Sequence, residues 1–243
     1  MKTTLLVLTN NELVGVKAIM PRVNRNWVDQ ILIVDAASHD GTIEWCRENN
    51  YELFIQSRSG IRHGFTDALT KIRGDIVITF SPDGNCIPEL IPELLTEINK
   101  GFDMVIVSRY LDDARSEDYT RLSQFGNWFF TKSINLFHGG NYTDSMGIYR
   151  AYRKQIIYEL ALNDDKWFTT PERLFGINAV GWEPLLSVRA ARSKLRVSEI
   201  KGDEPARLEG KSRVFPSLRV QLMWAAVYYF QIIRDIAYWK YTR

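Results

Sequence analysis

Short apolar runs alternate with helix-like segments through the first half of the chain. Runs with the length of strands lie at Leu5–Leu8, Ile31–Val34, Leu53–Ile55, Ile76–Phe80 and Met104–Val107. Segments between them, such as Gly41–Asn50 and residues 63–73, have the pattern of helices. This alternation is typical of a parallel sheet covered by helices on both faces. We therefore predict an α/β fold with a mostly parallel central sheet.

Polar segments follow the predicted strands. They are Thr9–Glu12, Asp35, Ser57–Gly60, Ser81–Asn85 and Ser108–Tyr110. An α/β sheet of this kind holds its ligands beyond the carboxyl ends of its strands. We therefore expect these polar residues to converge on one edge of the sheet and to contain the functional site.

The second half of the chain is less regular. Gly139–Tyr149 has three glycines in eleven residues and is expected to be a loop. Ser187–Arg219 carries nine Lys or Arg against four Asp or Glu. Because glycines and prolines interrupt it, we predict a flexible basic flap there. Further helices are expected at Tyr119–Phe137, Arg153–Leu162, Glu172–Val180 and Pro216–Trp239.

The last predicted helix contains nine consecutive apolar residues, Leu222–Phe230. A membrane span needs about 20 apolar residues, so a transmembrane helix is not predicted. A helix that is apolar all round is expected to be buried, docked on a partner, or in a membrane interface. Packing on its own domain, or on a second copy in a homodimer, is the plainer alternative. The tail YWKYTR mixes aromatic and cationic residues, as interfacial segments do.

Composition excludes several classes of protein. The 243 residues include 45% hydrophobic and 25% charged residues, which excludes wholesale disorder and a multi-span membrane protein. The net charge of +2 is too small for a chain built to bind a nucleic acid backbone. Two cysteines suit a reducing compartment, and the first apolar run is too short for a signal peptide. We expect a cytoplasmic location.

Acidic residues follow the second predicted strand. Asp40 is expected to cap the helix that follows it. For Asp35, at the end of the strand, the pattern favours ligand binding, because no capping role is evident. Each residue also has an alternative role. Asp40 could bind a ligand, and Asp35 could have a structural role.

The segment FSPDGN (Phe80–Asn85) places a carboxylate and an amide oxygen two residues apart after a strand. Mg²⁺ in proteins usually takes one or two carboxylates, with substrate phosphate and water as the other ligands. Asp83 and Asn85 therefore form half of a site for a metal and a diphosphate. A plain turn is the alternative, since this segment is rich in turn-forming residues.

Basic residues cluster around Gly210 of the predicted flap. Arg207, Lys211 and Arg213 could bind the phosphates of a ligand, or they could form a solvated charged face. Glu172 is expected in the first turn of a helix, or else as an acid–base or acceptor-binding group. The sequence lacks the glycine-rich phosphate loops of kinases, ATPases and dinucleotide-binding oxidoreductases.

These blocks together resemble family 2 glycosyltransferases, and above all the branch that makes dolichyl- or polyprenyl-phosphate sugars. LTNNE resembles the family's PTYNE, VDAASHDGT resembles VDDGSTDGT, and FSPDGN takes the place of MDADLQ. SRY matches GSRY, DSMGIYRAYR matches DSTSGFRAYR, and ARLEGKSR is similar to DRVYGESK. Glu172 lies ten residues before Trp182, as a helix glutamate of the family lies before an aromatic residue.

The resemblance implies a GT-A fold, a GDP- or UDP-sugar donor and Mg²⁺ or Mn²⁺, with Asp83 and Asn85 as the metal ligands. It implies that the donor is bound by Thr9, Asn11, Glu12, Asp35, Gly60 and Asp83. It implies catalytic roles for Asp83, Asp144 and Glu172. It implies an acceptor- or phosphate-binding set of Arg109, Arg150, Arg207, Lys211 and Arg213.

Two departures from the family pattern change these expectations. Ser81 replaces the first aspartate of the DxD motif, so one metal carboxylate is lost. Glu183–Arg196 resembles a basic insertion, for which contact with lipid headgroups is the one role we expect.

We expect an inverting glycosyltransferase that moves a sugar to a lipid phosphate, in contact with the inner face of the membrane. An acceptor phosphate is already a nucleophile and needs no strong base, whereas a hydroxyl acceptor would have to give its proton to Asp144 or Glu172. Alternatives are a transferase for soluble or growing glycans and a non-catalytic binder of nucleotide sugars. The expected organisation is a GT-A domain over residues 1–215 and an amphipathic helix over 216–243. That domain divides into a nucleotide-binding half, 1–110, and an acceptor half, 111–215.

Overall fold

A computed structural model describes residues 1–118, 120–209 and 217–238. The strands in these ranges are β1 (Thr3–Thr9), β2 (Gln30–Asp35), β3 (Glu52–Ile55), β4 (Ile76–Phe80), β5 (Met104–Ser108), β6 (Arg150–Arg153) and β7 (Val197–Lys201). The first α-helices are α1 (Leu13–Ile19), α2 (Thr42–Glu48), α3 (Ile61–Ala68), α4 (Ile91–Asn99) and α5 (Arg121–His138). The later α-helices are α6 (Gln155–Glu159), α7 (Lys166–Phe175), α8 (Glu183–Arg192) and α9 (Leu218–Tyr238).

The seven strands form one sheet in the order β3-β2-β1-β4-β6-β5-β7. Six of them are parallel, and β6 lies antiparallel between β4 and β5. The carboxyl ends of the parallel strands therefore meet at one edge, together with the amino end of β6. The prediction of a mostly parallel sheet is confirmed.

Two hydrophobic clusters cover the two faces of the sheet, because side chains alternate along each strand. On β1, Leu5 packs into a cluster that includes Val16 of α1 and Leu94 of α4. Leu6 points the other way, into a cluster that includes Phe65 of α3 and Trp182. Helices therefore cover both faces, as the apolar runs of the sequence predict.

The second half differs from the prediction at two places. The helix expected over Arg153–Leu162 is α6 alone, and Arg153 instead ends the segment RAYR, which pairs with two strands as β6. The helix expected over Glu172–Val180 begins earlier, at Lys166, and ends before the left-handed Gly176. Pro171 lies inside this helix, although a proline usually opens one.

Helix α8 accounts for most of the basic segment that resembles an insertion. Its residues from Glu183 to Ala191 are buried, and they pack between the sheet and the last helix. The expectation that Glu183–Arg196 contacts lipid headgroups is therefore wrong for this part of it. The predicted flap also starts later than Ser187, since α8 and β7 occupy its first fifteen residues.

Helix α9 packs one side on its own domain. Trp224, Val227, Tyr228 and Ile232 of this side are buried, and they join the cluster around α5 and α8. The packing alternative for the last helix is confirmed for this side. None of the helices among the described residues has the length and apolar character to cross a membrane.

Candidate active site

The polar segments predicted to converge do meet at the carboxyl edge of the sheet. Thr9 and Asp35 lie opposite each other at the ends of β1 and β2. Asp83 follows β4, and the chain that follows β7 returns Arg207 to contact its carboxylate. The helix after Glu12 packs closely on this turn, since a Cβ at Gly15 would lie 2.4 Å from the carbonyl oxygen of Pro82.

Asp35 is fully buried at the centre of one rim of this edge. Its Oδ2 accepts hydrogen bonds from the hydroxyls of Thr9 (2.6 Å) and Ser38 (2.7 Å). Its Oδ1 accepts from the backbone N–H of Ser38 at 2.7 Å. The carboxylate thus joins the two strand ends and organises the turn after β2. It holds the loops rather than reaching into the cleft, which differs from the direct ligand contact that its position suggested.

Asn11 continues this rim towards solvent. Its backbone N–H donates to Ser38 Oγ at 2.7 Å, and its Oδ1 accepts from the backbone N–H of His39 at 2.8 Å. Asn11 and Ala37 both have left-handed backbones, with φ of 54° and 60°. Such conformations persist in non-glycine residues only where the surroundings impose them, and they cluster at functional sites.

Asp40 caps two helices, as predicted for one of them. Its Oδ2 accepts from the backbone N–H of Leu13 at the start of α1, and its Oδ1 accepts from both the backbone N–H and the hydroxyl of Thr42 at the start of α2. Burial would raise the pKa of Asp40, but these hydrogen bonds hold it below its ordinary value. Asp40 therefore fixes the starts of α1 and α2 beside this rim.

Asp83 and Arg207 form the opposite rim. Asp83 is 7% exposed, and its Oδ2 accepts from Arg207 Nη1. Arg207 Nε donates to Asp118 Oδ2 at 3.0 Å. Burial would lower the pKa of the Arg207 guanidinium, but the carboxylates of Asp83, Asp118 and Glu12 raise it above its ordinary value. Three carboxylates thus surround one cation at this rim.

The turn at Asp83 supports the base of the flap. The backbone N–H of Leu208 donates to the Asp83 carbonyl at 2.9 Å, and Asn85 Nδ2 donates to the Pro205 carbonyl at 2.7 Å. Gly84 has φ of 104°, and a Cβ there would lie 3.0 Å from Leu208 Cγ. A side chain at position 84 would strain the turn and crowd the flap, so glycine is required there.

The donor chemistry of this turn fits a divalent cation. Asp83 and Asn85 offer hard oxygen ligands, and the Arg207 guanidinium shows that the Asp83 carboxylate already attracts positive charge. Ser81 contributes no carboxylate. Within the described residues no group of three or more His, Cys, Asp or Glu could hold a metal. A metal here would take its other ligands from a bound diphosphate and water.

Arg109 and Asp144 form a buried ion pair beside this rim. Arg109 Nη2 lies 2.9 Å from Asp144 Oδ1, Nε also donates to this carboxylate, and Nη1 lies 3.0 Å from Glu204 Oε1. Asp144 is fully buried. Burial alone would raise its pKa, but the Arg109 charge and hydrogen bonds hold it below its ordinary value of 3.8. Asp144 thus positions Arg109 and has no free oxygen edge for use as a base.

Arg150 lies in the interior rather than in the cleft. It is fully buried, and its guanidinium donates to the Gly147 carbonyl and to Ser187 Oγ, the latter at 3.1 Å. Burial lowers its pKa. Arg150 therefore ties the loop before β6 to α8, and the acceptor contact that the family pattern implied is out of its reach here.

Glu172 is also engaged within the protein. Its Oε2 accepts from Arg62 Nη2 at 2.7 Å, and its Oε1 accepts from the backbone N–H of Val180 at 2.8 Å. It is the seventh residue of α7, not a first-turn residue. The neighbouring segment contacts Gly60, where a Cβ would lie 2.2 Å from Ala179 Cβ. Both residues thus join the loop after β3 to the second half of the chain.

The structure also adds residues that the sequence patterns did not identify. Ser38 lies in a turn whose sequence suggested a cap, and its hydroxyl links Asn11 to Asp35. Asp118, Glu204 and Arg62 act through partners far along the chain, and no local motif marks them. Of the predicted phosphate-binding set, Lys211 and Arg213 lie outside the described residues.

A family model matches the part of the chain that contains most of these segments. The model described as glycosyl transferase family 2 matches residues 16–161, which is more than half of the chain. It spans the Asp35, Asp83, Arg109 and Asp144 segments.

Curated relatives are similar at low identity. Glycosyltransferase AglJ of Haloferax volcanii is 25% identical over 162 residues, which is 66% of this chain and 53% of that protein. Undecaprenyl-phosphate mannosyltransferase of Micrococcus luteus is 27% identical over 67% of this chain and 71% of its own length. Dolichol-phosphate mannosyltransferase of Pyrococcus furiosus is 27% identical over 67% of this chain and 49% of its own length. The chain thus spans about half the length of two of these relatives.

Solved structures share the architecture. Mannosyl-3-phosphoglycerate synthase of Rubrobacter xylanophilus matches with a TM-score of 0.67 and 15% identity, over 98% of this chain and 74% of that chain. Glucosyl-3-phosphoglycerate synthase of Mycobacterium tuberculosis, in complex with Mn²⁺, UDP and phosphoglyceric acid, matches with a TM-score of 0.65 and 13% identity, over 97% and 78%. At these identities the likeness shows the fold alone, and the expected GT-A fold is confirmed.

Proposed function

Because the chain belongs to glycosyl transferase family 2, we propose that it transfers one sugar, with inversion, from a nucleoside-diphosphate sugar to a polyprenyl-phosphate-type lipid. The observation that carries the proposal is the Asp83 rim, where a carboxylate and an arginine lie side by side in an ion pair. A leaving nucleoside diphosphate needs both kinds of group, since its negative charge grows as the sugar departs.

The two rims have different tasks in this proposal. Thr9, Asn11, Glu12 and the Gly60 loop form the side that receives the nucleoside, and Asp35 keeps that side in shape. The opposite rim receives the diphosphate. The M. tuberculosis neighbour was crystallised with UDP and Mn²⁺, which supports a nucleoside-diphosphate sugar and a divalent metal as the ligands here. A GDP-sugar in place of a UDP-sugar, and Mg²⁺ in place of Mn²⁺, are the alternatives within this proposal.

Asp83 and Asn85 would hold the metal, which supplies positive charge against the leaving diphosphate when it is bound. Arg207 would have two different partners, one before and one after the donor binds. It holds Asp83 in the free protein, and a metal–diphosphate would exchange this contact for contacts between the guanidinium and the phosphate oxygens. Lys211 and Arg213 of the same flap are proposed to add to this charge.

The acceptor is proposed to attack through a phosphate oxygen. Asp144 and Glu172, the two carboxylates expected to take a proton from a hydroxyl acceptor, are both buried and paired with arginines. A phosphate needs no such base. Relatives named as undecaprenyl-phosphate and dolichol-phosphate mannosyltransferases support a lipid phosphate acceptor. Arg109, 9% exposed beside the rim, is proposed to bind it.

The proposed organisation follows from this acceptor. Residues 1–110 would bind the donor, residues 111–215 would receive the acceptor, and residues 216–243 would form the helix nearest to the lipid. The protein would act at the cytoplasmic face of the membrane.

The experiment that tests this function is Asp83→Ala, with exposed Asp113→Ala as the matched control. Transfer from labelled UDP- and GDP-sugars to a short-chain polyprenyl phosphate is measured with Mn²⁺. We expect Asp83→Ala to lose activity by about 10²–10³-fold, because the leaving charge is no longer neutralised. The melting temperature should change little. Wild-type turnover in this variant would remove the metal assignment.

A second arm of the experiment separates the alternative functions. Phosphoglycerate synthases among the structural neighbours make a soluble phosphorylated acceptor the main rival. Transfer to phosphoglycerate or a soluble glycan in preference to the lipid would favour that rival. Binding of a nucleotide sugar with no release of nucleoside diphosphate would instead identify a non-catalytic binder, which the loss of a carboxylate at Ser81 makes worth testing.

A further inference from the structure

Helix α5 presents apolar side chains to solvent along one side. Residues 122, 125, 129 and 136 follow helical spacing and so share a face, and residue 128 borders it. These exposed side chains are Leu122, Phe125, Trp128, Phe129 and Leu136. The opposite side of α5 is buried, with Phe130 and Ile134 in the core. Helix α5 is thus apolar on both of its sides.

Helix α9 extends this exposed surface. Its outward side chains include Leu218, Leu222, Ile233 and Ile236. The rings of Phe129 and Tyr229 lie 5.3 Å apart and join the two helices. A groove of about 420 Å³ between α7 and α9 is lined by Leu218, Leu222 and other apolar residues, together with Arg219. We call the exposed side chains of both helices named here the α5–α9 face.

The exposed charges on the described residues of α5 and α9 are positive. Arg121, Lys132 and Arg219 are exposed on the two helices. The described residues of these helices include one acidic residue, Asp235, which is fully buried and paired with Arg189 at 2.8 Å. An apolar face whose own helices expose only cations among their described residues matches an anionic apolar boundary, such as the headgroup region of a bilayer.

We propose that the α5–α9 face docks on an anionic membrane surface. Exposed contiguous apolar patches mark binding surfaces, and Trp, Phe and Tyr beside Lys and Arg suit the interface between headgroups and acyl chains. A second copy fits less well. In a two-fold dimer the same face meets itself, so the cations of both copies would face one another.

The place of the α5–α9 face in the fold also connects it to the cleft. Helix α5 begins three residues after Asp118, which holds Arg207. On its inner side, Thr131 Oγ1 lies 2.9 Å from Ser145 Oγ, next to the Asp144 that positions Arg109. Docking would therefore bring the arginine side of the cleft to the lipid surface. The link between docking and access to the acceptor rests on the proposed function. Docking itself does not depend on sugar transfer.

The test is co-sedimentation of the full chain with phosphatidylcholine vesicles that contain or lack phosphatidylglycerol. The double variant Phe125→Ser with Trp128→Ser removes two aromatics that are 59% and 53% exposed. Tyr158→Ser, 48% exposed on α6, is the matched control. We expect the wild type to bind the anionic vesicles, the double variant to bind about tenfold more weakly, and the control to bind as the wild type.

Charge and folding have their own controls. Lys132→Glu, which leaves every apolar group in place, should also weaken binding, and added salt should weaken wild-type binding. Circular dichroism checks that each variant is folded. No wild-type binding, or equal binding by wild type, double variant and Lys132→Glu, would overturn the proposal. A second result would also overturn it: sedimentation showing that the wild type self-associates, together with a double variant that no longer self-associates but still binds vesicles.

Nucleotide-sugar hydrolysis with Mn²⁺ is measured on the same samples without vesicles. Vesicle binding without hydrolysis would leave the α5–α9 face standing and count against the proposed reaction. Hydrolysis without vesicle binding would do the reverse. The two proposals can therefore fail separately.

Discussion

The two rims of the cleft are held together by different kinds of contact. Around Asp35, neutral donors within 30 residues along the chain satisfy a fully buried carboxylate. Around Asp83, the partner is a charged side chain 124 residues away, Arg207, whose side chain is 24% exposed. The hydrogen-bond donors of the first rim are uncharged and near in sequence, and we call it the neutral rim. The second, the charged rim, is assembled from distant charged groups.

The difference concerns what each rim can do when a ligand arrives. Breaking the Asp35 contacts would leave buried hydroxyl and N–H donors without partners, which costs about 1–3 kcal/mol per group. At the Asp83 rim, one positive charge can be replaced by another, and the released guanidinium can bind phosphate. The neutral rim therefore suits a fixed frame, and the charged rim suits an exchange of partners.

The largest expected effect concerns the buried pair beside the charged rim. Asp144→Asn would leave the Arg109 charge buried without its carboxylate, so we expect a loss of about 3–5 kcal/mol in the free energy of unfolding at pH 7. Because the folded-state pKa of Asp144 lies below 3.8, its stabilisation is complete above that pH and is lost as the pH falls through the folded pKa. The difference between wild type and variant should therefore shrink in acid.

Urea unfolding at pH 7 and at stepped pH values below 4 measures this difference. Glu48→Gln, an exposed position on α2, is the control and should match the wild type at each pH. An Asp144→Asn variant as stable as the wild type at pH 7 would show that the buried pair, too, exchanges partners freely.

A smaller loss is expected at the neutral rim. Asp35→Ala removes the acceptor of three buried hydrogen bonds, and at about 1 kcal/mol for each donor, the lower end of the range, we expect it to cost about 3 kcal/mol in unfolding free energy. The affinity for the nucleotide part of the sugar donor should fall as well, because the turn that positions Asn11 loses its support. Urea unfolding and calorimetric titration with a nucleoside diphosphate measure the two effects. Exposed Glu44→Ala on α2 is the control, and an unchanged stability of Asp35→Ala would contradict the idea of a fixed frame.

The smallest expected effect separates the two roles of Arg207. Arg207→Ala removes the cation that competes for Asp83, so Mn²⁺ alone should bind about tenfold more tightly. Sugar transfer should nevertheless fall, because the diphosphate loses an arginine. Electron paramagnetic resonance of free Mn²⁺ gives the affinity, and Arg115→Ala, exposed in the neighbouring loop, is the control. Weaker Mn²⁺ binding in the variant would show that Arg207 supports the metal site rather than occupying it.

Local pattern was sufficient for the parallel strands of the first half. Apart from the half-buried edge strand β3, each is an apolar run that is buried on both sides, and the structure places all of these strands within one or two residues of the runs. Strand β6 escaped prediction because RAYR has no apolar run, and it is a strand because β4 and β5 lie on either side of it. Helix α7 was misplaced because Pro171 suggested a start at a point where the helix continues.

The site was predictable as a place but not as a set of contacts. Strand ends and the family motifs located Asp35, Asp83 and Arg109 at one edge. They could not show that Glu172 pairs with Arg62, 110 residues away, or that Arg150 is buried under α8. Burial and pairing of this kind depend on which residues the fold brings together from distant parts of the chain. The spacing of residues along the sequence does not show these contacts.

The buried pair between Arg189 and Asp235 has a consequence for the orientation of the whole molecule. Both side chains have no exposed area, and Arg234 adds a second contact to the same carboxylate at 2.6 Å. Pulling the last helix away would strand an arginine in the interior, which is far costlier than separating apolar side chains. If the proposed docking on a membrane holds, any tilt of that helix would therefore be imposed on the cleft as well, so the helix and the cleft would turn as one rigid block.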